Sequence, residues 1–346
     1  MGNTSLDVAV ILVNWNGWRD TLECLDSLAA MRSPGRMHIV ITDNLSSDDS
    51  VQRISAWMDR FNQPAYIDML ALGASVRERV AEASTTLIDD RVTVTLICNK
   101  DNGGFAVGNN LGMALADTVF GVGYFWVLNN DTVVKVDTLE LLVSKMESDR
   151  SIGICGSALV FHHDSSVVQA YGGVRYSYWS GRGWHIGGGE PYRAETGTTE
   201  VESAMTYVSG ASMLVSLDFY QQIGPMSEDF FLYNEELDWA WRGRKRFRLG
   251  CEPRSVVMHK EGASIGTVSV ARNASPLSEF YQARNKLKFT VTRMPWFAPT
   301  VWLFLAAKAL RLYLLGHRRN ARVIAYALLG KQTPVASWAA GRASAP

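Results

Sequence analysis

The chain has 346 residues, 47% hydrophobic and 20% charged, enough for a large core and one catalytic domain with an appendage. Lysine plus arginine number 34 and aspartate plus glutamate number 34, so the formal net charge is zero. Four scattered cysteines without a C-x-x-C pair, no internal repeat and no low-complexity tract exclude a disulfide scaffold, a repeat array and a disordered chain. The charge balance hides an asymmetry. Arg242 to Arg322 holds 17 basic residues and three acids, Glu252, Glu261 and Glu279, whereas the first 241 residues hold 31 acids against 15 bases. That end of the molecule suits phosphates, nucleic acid or an anionic membrane surface. The N-terminus shows no basic-then-apolar signal, so a cytoplasmic start is expected.

Val8 to Asn14 is a short, continuously apolar, β-rich run that predicts a strand buried on both faces. Helical spacing follows from Arg19 to Met31. A second strand is predicted at Ile39 to Asp43, then a helical stretch to Phe61. Residues 62–91 have mixed character and are expected to be an insertion. Val92 to Ile97 predicts a third strand, Phe105 to Ala116 a helix, Tyr124 to Leu128 a fourth strand, and Thr138 to Glu147 another helix. This alternation predicts a parallel α/β sheet whose ligands bind outside the C-terminal strand ends. Beyond Gly156 the pattern changes. Tyr171 to Tyr192, with Trp179 and Trp184, predicts a loop or irregular hairpin. Tyr207 to Val215 predicts a strand, and Leu217 to Ile223 a helix. Glu235, Glu236 and Asp238 open a further helix whose later turns are basic, a polarity that matches the helix dipole. The four cysteines are expected to be buried free thiols.

Polar clusters fall at the expected strand ends. In Asn129-Asn130-Asp131, a carboxylate beside two amides can hold Mg2+ or Mn2+ against a diphosphate; the alternative is a turn whose Asp caps the next helix. Asp43, at the end of the second strand, can accept from a base or ribose, or build an Asx turn with Ser46 or Ser47. Asn102-Gly103-Gly104 opens a helix as a phosphate or ribose turn would. The aromatic run Phe230 to Tyr233 would hold a following carboxylate near apolar surface and raise its pKa, which suits a general base. Helical geometry would point Glu235 and Asp238 together and Glu236 elsewhere. His259 ends an apolar run and is either structural or part of a mixed metal site with an Asp.

Together and in this order, these stretches resemble glycosyltransferase family 2 and its rhamnosyltransferase-like branch, over roughly residues 7 to 290. The resemblance runs through Val8 to Asn14, Asp43-Asn44, Asn102-Gly103-Gly104, Leu128 to Thr132, Val208 to Ala211, Phe230 to Arg242 and His259 to Ser264. It implies the α/β GT-A nucleotide-diphospho-sugar transferase fold, a mostly parallel sheet flanked by helices. The expected division is a catalytic domain over 1–290 and a basic, amphipathic helical segment over 291–346. It also implies metal binding by Asp131 and His259, and donor contacts from Asn14, Asp43, Asn102, Gly103, Asn129 and Asn130. A base is implied at Glu236, with Glu235 beside it, and acceptor contacts from Trp179, Trp184 and Asp238. Two departures stand out. The DXD-like motif keeps only one acid, and Glu236 stands where the family usually has Asp.

Trp302 to Leu315 is strongly apolar but short for a membrane span, and helical spacing would align Lys308, Arg311, Arg318 and Arg322 on one face. This predicts a helix in the bilayer interface, or else one docked on the catalytic domain or in a homo-oligomer. The expected function is inverting, metal-dependent transfer of a sugar, such as rhamnose from dTDP-rhamnose. The acceptor would be a hydroxyl of a glycan or lipid-linked glycan, in bacterial surface polysaccharide synthesis on the cytoplasmic face of the membrane. A sugar nucleotidyltransferase and a non-catalytic sugar-nucleotide or glycan-binding protein are the alternatives. Nucleic acid ranks last as a partner, because the basic residues lie among apolar runs and carry no recognised motif.

Overall fold

The computed structural model describes residues 6–66, 72–260 and 274–332. Its first half is laid down by alternating apolar runs. Strand β1 (Val8–Asn14) leads into α1 (Trp18–Ala29), followed by β2 (Met37–Asp43) and α2 (Ser50–Asp59). Both strands are almost wholly buried, whereas α1 buries Thr21, Cys24, Leu25 and Leu28, the stripe expected of a helix covering a sheet. The expected insertion holds β3 (Pro64–Ala65), α3 (Ala74–Arg77) and β4 (Val80–Leu87). It extends the sheet by pairing β4 antiparallel to β5 (Val92–Asn99), and a Thr85–Thr95 hydroxyl contact of 3.0 Å lies across that pair. Residues 67–71 of this stretch lie outside the described residues.

After α4 (Gly104–Phe120), strand β6 (Tyr124–Asn129) returns to the other side of β1, so β5, β2, β1 and β6 form a parallel core. Asn14 pairs in register with Asp43, and Val13 with Asn129. Strand order reverses direction about β1, and a crevice opens beyond these strand ends.

The rest of the sheet is mixed. After β7 (Thr132–Val134) and α5 (Thr138–Ser148) come β8 (Ile152–Phe161) and β9 (Asp164–Tyr171), which pair antiparallel. The Gly- and aromatic-rich stretch is a hairpin of β10 (Gly173–Ser177) and β11 (Arg182–His185). Past α6 (Thr198–Ala204), the strand expected at 207–215 divides. Its first part, β12 (Tyr207–Val208), joins the hairpin as a three-stranded sheet, while β13 (Ser212–Ser216) joins the main sheet between β6 and β8. Helices α7 (Leu217–Ile223) and α8 (Glu235–Gly243) precede β14 (Arg248–His259), which runs parallel to β8. Cys24, Cys155 and Cys251 are buried and Cys98 is half-buried; all four are free thiols.

Three helices close the described chain: α9 (Pro276–Arg293), α10 (Ala298–Leu314) and α11 (Arg318–Leu328). They share one apolar cluster that includes Phe280, Tyr281, Leu305, Leu312 and Ile324. Helix α9 spans residue 290, where the domain boundary was expected. The single cationic stripe expected over 308–322 does not form. Gly316 turns the chain at φ 84, Arg318 and Arg322 lie on a separate helix, and Lys308 pairs with Glu279 on α9 at 2.6 Å. Residues 333–346 lie outside the described residues.

Candidate active site

A cavity of about 520 Å³ opens at the C-terminal ends of the parallel core. Val13, Trp15, Asn44, Asn129, Asn130 and Asp131 wall it on the sheet side, and Asn102, Gly104 and Phe105 at the start of α4. Helix α8 brings Glu235 and Glu236, β14 brings His259, and α9 brings Leu277, Gln282 and Lys286.

The turn after β6 holds the metal-site candidates. Asp131 Oδ1 and His259 Nε2 are 3.2 Å apart, and Asn129 Nδ2 is 3.3 Å from the same nitrogen. Gln169 Oε1 accepts from Nδ1–H at 2.7 Å, so Nε2 is the ring nitrogen turned towards Asp131. A proton on Nε2, or a cation bound by both groups, accounts for so close an approach. A hard carboxylate and an imidazole are donors that Mg2+ or Mn2+ would accept. Of the matched stretch His259 to Ser264, residues 261–264 lie outside the described residues.

The polar residues at the ends of β1 and β2 are tied to one another. Asn14 Nδ2 donates to Asp43 Oδ2 at 2.6 Å, and Thr21 Oγ1 donates to Asn14 Oδ1 at 2.8 Å. Asp43 also accepts from Ser46 N–H at 2.9 Å and from its hydroxyl at 2.6 Å, so the Asx-turn reading describes its geometry. Asn14 and Asp43 are buried behind the wall, and Val13, Trp15 and Asn44 face the cavity in their place. Asn130 lines the cavity while donating to Thr21 Oγ1 at 2.9 Å. Asn102 Oδ1 accepts from Gly104 N–H at 3.0 Å. Gly104, one residue beyond the expected Gly103, makes the close approach: at φ 85 its Cα presses on the Phe231 carbonyl oxygen, where any Cβ would collide.

The carboxylate pair sits on a strained lead-in. Tyr233 and Asn234 are both left-handed, with φ of 70 and 74, immediately before α8 begins. Asn285 of α9 holds that turn by donating to the carbonyls of Leu232 and Tyr233 at 2.7 and 3.0 Å. The turn aims both glutamates into the cavity, so the expected pairing of Glu235 with Asp238 is not what forms. Asp238 points into the protein and is clamped by Arg242 at 3.0 Å and Arg293 at 2.7 Å. Glu236 packs against Gly210, whose lack of a side chain makes room for the carboxylate. Burial pushes the Glu236 pKa up to about 7, against hydrogen bonds from its own backbone and from Gly210. Glu235 is raised further by burial and by the charge of Glu236 beside it, and its Oε2 meets no donor among the described residues.

Trp179 and Trp184 stand outside the cavity wall. On β11, Gly183 and His185 face the cavity, and the period of two sends Trp184 to the other side, beneath the guanidinium of Arg182 at 5.2 Å. Trp179 rests edge-on against Phe297 at 4.7 Å. Sequence reasoning missed Tyr176, His185, Gln282 and Lys286, which come from a hairpin and a helix that carry no motif of their own, and it gave no role to Gly210 within the matched stretch Val208 to Ala211.

The amino-acid sequence matches the family described as Glycosyl transferase family 2 over residues 74–192, a span that contains the turn at the start of α4 and Asp131. Residues 74–192 thus resemble a family 2 glycosyltransferase domain. Its structure superposes on GalNAc-T7 with UDP, GalNAc and Mn2+ at a TM-score of 0.58 and 13% identity, over 89% of this chain and 51% of that one. It superposes on S. aureus TarS 1-349 in complex with UDP-GlcNAc at a TM-score of 0.52 and 13% identity, over 93% of this chain and 81% of that one. The chain therefore has the GT-A fold, and it spans about half the length of GalNAc-T7. No curated protein sequence matches this one.

Proposed function

We propose that the enzyme transfers a sugar from a nucleoside-diphosphate sugar to a hydroxyl of a lipid-linked glycan, with inversion at the anomeric carbon. One observation carries the reading: a carboxylate poised near neutrality, Glu236, shares a cavity with the Asp131–His259 pair at the ends of the parallel strands. The solved structures that share this fold hold UDP with GalNAc and Mn2+, or UDP-GlcNAc, which supports a nucleotide-sugar donor. A divalent cation held by Asp131 and His259 would offset the charge of the leaving diphosphate. Asn44, Asn102 and the Asn129-Asn130 amides would orient the donor. The acceptor oxygen bonds to the anomeric carbon as the carbon–phosphate-oxygen bond breaks, the nucleoside diphosphate leaves, and Glu236 takes the hydroxyl proton.

The test is a donor screen. Full-length protein is offered UDP-, GDP- and dTDP-sugars, dTDP-rhamnose and UDP-galactofuranose among them, with Mn2+ or Mg2+ and a glycan acceptor. Release of free nucleoside diphosphate from one donor is expected. Pyrophosphate released from a nucleoside triphosphate would make the protein a nucleotidyltransferase. Donor binding without turnover would make it a binding module.

We also propose that the enzyme lies on the cytoplasmic face of the membrane. Pro295–Leu314 is apolar and long enough to cross a bilayer, yet α10 within it packs on α9 and α11 and is tied to α9 by the Lys308–Glu279 pair. A helix docked along one side and open on the other suits the interface. Its exposed Leu303, Leu310, Tyr313 and Leu314 stand near the exposed Arg311, Arg318, Arg319 and Arg322. Replacing those four arginines by Gln is expected to release the protein from anionic vesicles with donor binding intact, since each cation at the surface contributes about 1 kcal/mol. Cosedimentation equal to wild type at low and moderate salt would reject the electrostatic contribution.

A further inference from the structure

The base and the metal-site candidates leave one charged group of the cavity unused. Lys286, on α9, lines the same space as Glu235, Glu236 and Gln282. It has no ion-pair partner among the described residues. Glu279, a neighbouring acid on the same helix, is committed to Lys308 at 2.6 Å. The Lys286 side chain runs beside Gly181 in the turn of the β10–β11 hairpin, on a different wall from Asp131 and His259. Burial, with the nearby positive charge of Lys308 and that of Arg182, pushes its ammonium down to about 8 against the opposing charge of Glu279. A cation drawn out of water with no carboxylate in contact costs stability, and a cavity that keeps one suits an anion.

The same wall leads onto the apolar face of α10. Val301 also packs beside Gly181, the Arg182 guanidinium lies 5.9 Å from the Phe304 ring, and Trp179 meets Phe297. Beyond them Leu303 is 63% exposed and Leu314 75%. A ligand placed here would set an anionic group on Lys286 and run an apolar chain along α10.

We propose that Lys286 anchors a phosphate of the acceptor, and so selects acceptors whose glycan is carried on a phosphorylated lipid. This deepens the reading of the cavity as a glycosyltransferase site and rests on it. The donor diphosphate belongs to the strand-end wall, so the two phosphate sites are served by different elements. Lys286 touches no reacting atom; it is a specificity residue.

The probes are farnesyl phosphate, farnesol and inorganic phosphate. Each is titrated calorimetrically onto the full chain with Mn2+ and a saturating nucleoside diphosphate that occupies the donor wall. Farnesyl phosphate is expected to bind wild type and to lose about ten- to a hundredfold in affinity for Lys286→Met, the effect of removing a charge-assisted hydrogen bond. Lys286→Arg should stay within a few-fold of wild type, nucleotide affinity should match in all three proteins, and farnesol should bind none of them. Inorganic phosphate bound as tightly as farnesyl phosphate, and lost with Lys286→Met, would uphold the anion site but make its source free phosphate. Equal affinity of wild type and Lys286→Met for farnesyl phosphate, or farnesol binding as well as its phosphate, would overturn the proposal. Failure of any nucleoside diphosphate to bind would instead count against the glycosyltransferase reading, and the same titrations without nucleotide would still decide Lys286.

Discussion

Glu236→Gln is expected to lower turnover about a hundred- to ten-thousandfold while leaving donor affinity unchanged, the usual contribution of a positioned base. The side chain keeps its shape and its packing on Gly210, so what is lost is the ability to take a proton. The pH dependence gives an independent reading. Burial raises the carboxyl to about 7, so the acid form, which cannot accept a proton, dominates below that value. Turnover of the wild type should therefore rise with pH through about 7 and level off above it, and the rising limb should vanish in Glu236→Gln. Glu236→Asp should retain more activity than Gln, since it keeps a carboxylate with a shorter reach. Glu235→Gln should cost much less. Burial and the adjacent charge favour the neutral form of Glu235, and Gln is a neutral side chain of the same size. Turnover and donor affinity of the four proteins, measured across pH 5 to 9, decide between them. A dead Glu235→Gln beside a nearly normal Glu236→Gln would move the base to Glu235.

Asp131→Ala is expected to lower turnover by about a hundred- to a thousandfold or more, the scale on which charge-stabilising groups act in a site closed to water. It should also remove the dependence of nucleotide affinity on Mn2+. The turn Asn129-Asn130-Asp131 contains a single carboxylate, and the amides beside it can orient a ligand but cannot offset its charge. Asp131→Asn tests charge at nearly constant shape and should resemble Ala. The measurements are calorimetric titration of nucleoside diphosphate with and without Mn2+, and turnover at saturating donor. A variant that turns over normally and responds to Mn2+ as wild type does would remove Asp131 from the metal site and leave the turn as a helix-capping element.

Much of the fold is legible in the sequence because its core strands are buried on both faces. The run Val8 to Asn14 is apolar up to its last residue, and the strand ends there because the next residues must serve the crevice. Tyr124–Asn129 likewise runs apolar to its final Asn, and Met37–Asp43 is buried throughout although it carries His38 and Thr42. Period and turn chemistry are local properties, so strands, covering helices and the polar clusters at the strand ends can all be placed without knowing the tertiary structure. The stretch from Phe230 could likewise be marked as chemically loaded.

Only tertiary contacts decided which groups share the cavity. The directions of Glu235 and Glu236 follow from two consecutive left-handed residues, Tyr233 and Asn234, held by Asn285 some fifty residues later. Helical periodicity gives spacing around α8 but not what each side chain meets, so it mispaired Glu235 with Asp238. Asp238 went instead to Arg242 and Arg293, the second of them on α9. Trp184 was lost to the cavity by one step of strand register, and Lys286 entered it because α9 docks against the hairpin. Local sequence determined where strands end and polar turns gather. Long-range packing determined which side chains meet, because that depends on groups far apart in the chain competing for the same buried space.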